Sequence, residues 1–453
     1  MKLHRSAIAC ALAFASGGAY SQASDTAKTA VVADTLIQIY GHLDVSIDYA
    51  TKGIDAGQTN APFGTTTPDG KVGWQPAISS NLSYVGVRGS RDLGESGLRG
   101  IFQFETQIDV SATPGPSVNS ASSDPAVKGA LASRNSYLGL AGGWGAFKVG
   151  KTDTPYKLST GRLDPFSATV GDYNSIIGNT GGDNRAEFDA RLSHSAWYES
   201  PAMGGFRVQA LWSPGQNRSS DNSGVAAGEP DCTGANTAGG VLSAAGTGAC
   251  TDGSFGNAYS IAGSWTGGPA YVTLAYEKHS GVNRLGDETN PTPPGAPAGT
   301  VGVVDESAMK IGVQYKLPTR TTINAVAERL RRAAPDPSFN ERQRNGFWLA
   351  LTQQLGDKND VNLGWAHAGK TDGDPIIGPA DNEANMYALG FKHHWDRRTN
   401  WYAVYARQVN HPAAHFDLGA SGHGITTDCH DAVGNCFPGT TLQAISVGMQ
   451  YNF

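Results

Sequence analysis

The sequence predicts an all-β fold: a transmembrane antiparallel β-barrel of sixteen strands. Three observations predict it. Segments of period-two alternation recur from residue 36 onward, and their connections alternate between very short and long. No apolar run outside the extreme N-terminus is long enough for a membrane helix. Composition agrees: mean hydropathy is −0.32, charged residues are 16% and apolar residues 39%. Gly supplies 59 of 453 residues, about double ordinary usage.

The N-terminus reads as a signal peptide over residues 1–23. Lys2, His4 and Arg5 form a basic start, Ala7 to Ala15 an uncharged apolar run, and cleavage fits after Ser21 or Ala23. Cys10 lies inside that run with no Leu three residues before it, which disfavours a lipoprotein. Loss of Lys2 and Arg5 takes the formal charge from −6 to −8, leaving an acidic chain with no basic block and no expected nucleic-acid partner. Residues 24–35 then form an N-terminal extension, and 36–453 the barrel.

Strands are expected at 36–49, 80–91, 98–110, 132–141, 145–153, 194–200, 205–213 and 257–266. The second half adds 269–279, 306–316, 320–332, 344–355, 360–370, 385–395, 399–410 and 441–453. In the last of these, Ile445, Val447, Met449, Tyr451 and Phe453 alternate with polar or small residues. Seven connections are short, such as Gly142-Gly143-Trp144 and Gly267-Gly268. Eight are long: 50–79, 111–131, 154–193, 214–256, 280–305, 333–343, 371–384 and 411–440. Sixteen antiparallel strands with both ends on the short-turn side need this count, with short turns periplasmic and long loops extracellular.

Closure follows from physics, because every backbone group in hydrocarbon must be paired internally. In 98–110, Phe102, Phe104, Thr106 and Ile108 point to lipid, while Arg99, Gln103, Glu105 and Gln107 point to a wet interior. Tyr40, Tyr49, Trp144, Trp197, Tyr198, Tyr276, Trp395, Trp401, Tyr451 and Phe453 near strand ends fit interfacial girdles. Four cysteines remain after cleavage, Cys232, Cys250, Cys429 and Cys436, and an even count in an exported chain favours disulfides. Local pairing would join Cys232 to Cys250 and Cys429 to Cys436. A metal site of Cys429, His430 and Cys436 is the alternative, without zinc-ligand spacing to support it.

With these pieces assembled, the chain resembles the general porins of Gram-negative outer membranes, of the betaproteobacterial type. The resemblance is carried by Tyr40-Gly41-His42-Leu43-Asp44, by the run from Gly86 to Gly94 and by Phe102-Gln103-Phe104-Glu105. The stretches from Ser133 to Leu140, Phe147 to Lys151 and Ser195 to Pro201, and Tyr451-Asn452-Phe453, complete it in order. It implies a homotrimer in outer-membrane lipid and lipopolysaccharide, with the third loop, 154–193, folded into the lumen. It also implies loop carboxylates at Asp164 and Asp172 facing a basic wall of Arg88, Arg134 and Arg191, with Arg99 and His42 beside them. Two positions depart from the pattern: His42 stands where lysine is common, and Tyr84 where arginine is frequent.

The expected function is passive diffusion of ions and small hydrophilic solutes, with a modest anion preference. A substrate-specific channel for a sugar, phosphate or dicarboxylate is the first alternative, and an adhesin working through its long loops the second. No enzyme, cofactor or metal is expected. Neither GxSxG, HExxH nor a phosphate loop occurs. Pro412 hampers a helical metal pair of His411 and His415, and His393 and His394 point to opposite strand faces.

Overall fold

Period-two alternation becomes a closed antiparallel sheet. The structure is a computed structural model that describes residues 29–32, 35–54, 72–94, 97–108, 110–111, 132–178, 188–214, 256–282, 304–333, 343–371, 381–412, 414, 416–419 and 439–453. The expected signal segment, residues 1–23, and all five cysteines lie outside these residues. So do His415 and His430.

Strand segments in chain order are β1 (Thr29–Val32), β2 (Thr35–Ile54), β3 (Val72–Ser80), β4 (Tyr84–Asp92), β5 (Arg99–Gln107) and β6 (Ser136–Gly142). Then come β7 (Gly145–Asp153), β8 (Arg191–Glu199), β9 (Phe206–Pro214), β10 (Asn257–Gly267), β11 (Ala270–Val282) and β12 (Val304–Lys316). The last six are β13 (Thr321–Arg332), β14 (Gln343–Leu355), β15 (Asn359–Ala368), β16 (Ala384–His394), β17 (Thr399–Asn410) and β18 (Thr441–Asn452). Consecutive segments pair antiparallel, except that β3 and β4 both pair with β2, and β18 returns to β2, with Ala444 opposite Ala50 and Asn452 opposite His42. No barrel edge is therefore left for lipid to meet.

Eighteen segments make sixteen barrel strands. β3 and β4 are two halves of one strand, since β2 pairs with β3 through Val45–Ile54 and with β4 through Thr35–His42. The break falls at residues 81–83, where Leu82 adopts φ +50°. Asn81 fastens it, its amide donating to Ser46 Oγ (2.9 Å), Tyr402 OH (3.1 Å) and Asp44 Oδ1 (3.3 Å). β1 falls before the expected barrel start at 36 and pairs with the foot of β2.

Several expected boundaries move: β2 runs on to Ile54 rather than stopping at 49, and β6 begins at Ser136 rather than 132. Residues 72–79, expected in a loop, are strand, because Trp74 stacks on Tyr49 at 5.1 Å and Pro76 interrupts the alternation that would have marked them. Strand β8 begins at Arg191 rather than 194, after an irregularity between Gly150 and Thr152 that shifts register by one. Short turns use the expected glycines. At Gly205 φ is +88° and a side chain would collide with the Thr266 carbonyl, so only glycine fits.

The faces divide as expected. Ile39, Ile47, Ile78, Leu138, Val149 and Val447 are exposed to the outside, whereas His42, Asp44, Ser46 and Asp48 of β2 point inward. Trp144 and Tyr198 stack at 6.2 Å on the short-turn rim, as an interfacial girdle requires. Tyr40 and Trp197 do not belong to that girdle. Tyr40 OH donates to the inward Glu105 (2.8 Å), and Trp197 Nε1 to Glu199 (2.9 Å), because both occupy inward phases of their strands.

The third long loop enters the barrel. It contains the helix α1 (Pro155–Thr160), whose N-cap Thr154 accepts from Lys157 N, then single 3-10 turns at Gly161–Leu163 and Tyr173–Ser175. Leu163, Phe166, Val170, Ile176 and Ile177 are buried with Trp348, Met386 and Ala388 of the inner wall. That half of the lumen is thus apolar where the loop covers it, not wet. Glycines make room. An added Cβ at Gly312 would lie 2.5 Å from Leu163 Cδ1, and one at Gly364 2.8 Å from Phe166 Cε2.

Candidate pore constriction

Against the β2–β8 wall, cations lie on tyrosine rings. Period two puts Gln38 and Tyr40 of β2, Tyr84 and Arg88 of β4, and Gln103 and Glu105 of β5 on the inward face. Arg88 Nε donates to Gln38 Oε1 (2.6 Å), and its guanidinium lies 4.8 Å from the Tyr40 ring centre. Arg134, just before β6, lies 4.7 Å over Tyr84 and 3.7 Å from Glu105 Oε2. Arg191 reaches Asn135 Oδ1 (2.8 Å) and both oxygens of Asp153 (3.2 and 3.3 Å). Lys157 at the start of the loop also reaches Asp153, at 3.2 Å.

Arg88, Arg134 and Arg191 are thus brought together with Lys157. The cluster opposes four cations to two carboxylates, Glu105 and Asp153. Tyr84, noted as a departure because arginine is frequent at its position, is the platform for Arg134. A ring face attracts a guanidinium through its quadrupole, and the stacking fixes a side chain that would otherwise wander. Arg99 is not part of the cluster. It sits four residues below Gln103 on β5, roughly 13 Å nearer the short-turn rim. His42 is on this wall but buried, its Nδ1 2.8 Å from Asn452 Oδ1.

The two loop carboxylates are placed differently from expectation. Asp164 and Asp172 are buried, 4% and 2% exposed, and their oxygens are bound to the loop's own backbone. Asp164 accepts from the backbone N–H of Phe166 (2.9 Å) and Tyr173 (3.1 Å). Asp172 accepts from those of Ala168 (2.8 Å) and Asn174 (2.9 Å). Each carboxylate satisfies donors that the irregular turn leaves orphaned, so both serve the loop's own fold.

Burial pushes both carboxyls above their ordinary range, Asp172 to about 6, and the Asp172 charge raises Asp164 further. A group with a raised folded-state value stabilises most when protonated. Its contribution is complete below about 4 and is lost as pH rises through about 6. Backbone amides of residues 164–176 should therefore exchange hydrogen more slowly, after correction for intrinsic rates, at pH 4 than at pH 7. Equal protection at both values would contradict this.

Sequence reasoning missed the clamps that fix the loop. Lys310 Nζ of β12 meets Asp189 Oδ1 at 2.6 Å, both side chains being 0% exposed. Tyr156 OH donates to Glu328 Oε2 (2.6 Å), which also accepts from Gly178 N (3.0 Å). Trp348 Nε1 donates to Leu163 O (3.1 Å), and Arg344 to Ile176 O (2.9 Å). Alternation alone marks Lys310 and Glu328 as inward charges on their strands. Lys392 of β16, opposite Asp360 in register and on the inward phase, is a further lumen cation.

Comparison with known proteins decides the family. A family model described as Gram-negative porin matches residues 7–412. The chain belongs to the Gram-negative porin family. This porin is 24% identical over 396 residues to an outer membrane porin protein of Bordetella pertussis, covering 83% of this chain and 89% of that one. It is 26% identical over 199 residues to the major outer membrane protein P.IA of Neisseria meningitidis, covering 42% of this chain and 45% of that one. Among solved structures, the anion-selective porin from Comamonas acidovorans matches with a TM-score of 0.64 at 19% identity, covering 92% of this chain and 100% of that one. OmpT of Vibrio cholerae in its trimer form gives 0.55 at 14% identity, covering 92% and 99%. The porin is accordingly a multi-pass protein of the outer membrane and a passive diffusion channel, not an enzyme.

Proposed function

We propose that solutes cross this porin between the inserted loop and the arginine–tyrosine wall, and that the passage prefers anions. One observation carries the preference: Arg88, Arg134, Arg191 and Lys157 converge there, while Asp164 and Asp172 are used up inside the loop. With two carboxylates against four cations, the local field favours negative solutes, and rings of charge set ion preference in such pores. Arginine stays charged at every relevant pH, so the preference should persist across it. We further assign a homotrimer, supported by the trimer form of OmpT from Vibrio cholerae and by the family. Cleavage after Ser21 or Ala23 and the local pairing of the cysteines belong to the same reading.

The test is the reversal potential of single channels under a salt gradient. The unaltered porin should reverse on the anion side, and Arg134→Ala or Arg191→Ala should move it toward cations by several millivolts. Each removes one of four cations and releases one carboxylate. An unchanged potential in both variants would remove these residues from the ion path. Titration with a sugar, phosphate or dicarboxylate separates the substrate-specific reading, because such a channel is blocked by its own solute.

A further inference from the structure

The lipid-facing wall is not uniform. On β13 the outward positions run Ile323, Ala325, Ala327, Arg329 and Arg331, because Val326, Glu328, Leu330 and Arg332 are buried inward. Cross-strand partners of the two alanines are large: Val313 and Ile311 on β12, Leu349 and Phe347 on β14. Small residues between large ones leave a groove of 530 Å³ on the outer face, bordered on its far side by Trp365 and His367. Those two rings are stacked 5.8 Å apart, and Phe347 packs on His367 at 6.3 Å, so that border is fixed.

The groove points at a pair of cations. Arg329 and Arg331 continue the same outward row toward the long-loop rim, and both are exposed. Arg331 stands roughly 14 Å along the strand from Ala327. Tilted by about 40°, the strand carries Arg331 roughly 10 Å up the membrane normal, and its long side chain snorkels the rest of the way to headgroup level while the alanines lie within the acyl region. Arg329 donates to Gln343 Oε1 (3.0 Å), which holds its side chain beside the groove's axis. Asp305, the outward carboxylate of the neighbouring strand, is already bound to Lys278 at 2.8 Å.

We propose that this groove seats one acyl chain of a phosphorylated glycolipid of the outer leaflet, whose phosphate is held by Arg329 and Arg331. An acyl chain is surrounded by apolar matter everywhere in a bilayer, so hydrophobicity alone would not select this site. Selection comes from closer packing in the groove, and from guanidinium forks that match phosphate oxygens. Chain and headgroup are read by one strand, in register.

The experiment uses the full-length porin extracted from outer membranes in mild detergent. Lipopolysaccharide retained after washing is measured by mass spectrometry as lipid phosphate per chain. Two variants are compared: Ala327→Trp, which fills the groove, and Arg329→Gln with Arg331→Gln, which keeps the side-chain bulk and removes the charge. Both should retain several-fold less lipid phosphate, with unheated gel mobility confirming that the barrels are folded. Unchanged retention in the arginine variant overturns the proposal, even where Ala327→Trp fails to fold. Dissociation of Ala327→Trp into single barrels with unchanged lipid also overturns it, because a second copy would then occupy the groove.

Discussion

Lys310→Met is expected to destabilise this porin by about 3–5 kcal/mol, read as a lower urea midpoint in bilayer or detergent unfolding. The ammonium lies 3.9 Å over the Tyr156 ring and 2.6 Å from Asp189, with no exposure of either charged side chain. Removing it leaves the buried carboxylate to Asn174 Nδ2 (2.5 Å) and Tyr173 OH (3.4 Å). The pair itself is not a large net gain, since desolvation of both charges offsets their attraction. The double change Lys310→Met with Asp189→Leu should therefore recover much of the loss. A double variant no more stable than the single one would show that packing, rather than the orphaned charge, sets the cost. Open-channel noise should rise in the single variant, because Asp189 anchors the arm that returns from the loop to β8.

Phe166→Ala is expected to cost about 3–5 kcal/mol as well, and to raise conductance fluctuations more than any wall substitution. The ring is 1% exposed, meets Trp348 edge-on at 6.2 Å and fills notches at Gly364 and Gly390. Truncation opens a cavity at the point where the loop turns back. Unlike lipid-facing residues, this side chain has water as its alternative partner, so the full transfer term applies. Phe166→Leu should restore most of the loss. If Phe166→Ala leaves both the midpoint and the noise unchanged, the loop is held by its polar clamps alone.

How much was legible follows from where information sits in a barrel sequence. Strand count and face assignment were readable because alternation repeats along every strand, and loop length sorted the two rims. Residues 72–79 were missed because Pro76 and Gly73 broke the pattern that the Trp74–Tyr49 stack restores in three dimensions. Arg88, Arg134 and Arg191 were found by resemblance and do cluster, whereas Arg99 lies too low on β5 to join them. Asp164 and Asp172 were misplaced for a physical reason. A carboxylate in a loop can face the lumen or cap its own turn, and sequence does not say which way the chain curls. Tyr40 and Trp197 show the same ambiguity, since an aromatic near a strand end suits a girdle or a lumen equally until its phase is counted.

The seam between β18 and β2 also sets an order of events. His42 and Asn452 are bonded across a separation of 410 residues, and Gly41 exchanges two backbone hydrogen bonds with Phe453. No growing or half-exported chain can make those contacts. Until β18 arrives, β2 has one bare edge, which in hydrocarbon is too costly to keep and in water invites pairing with other chains. Sealing must therefore come last, and the whole chain has to be kept apart from its neighbours until then.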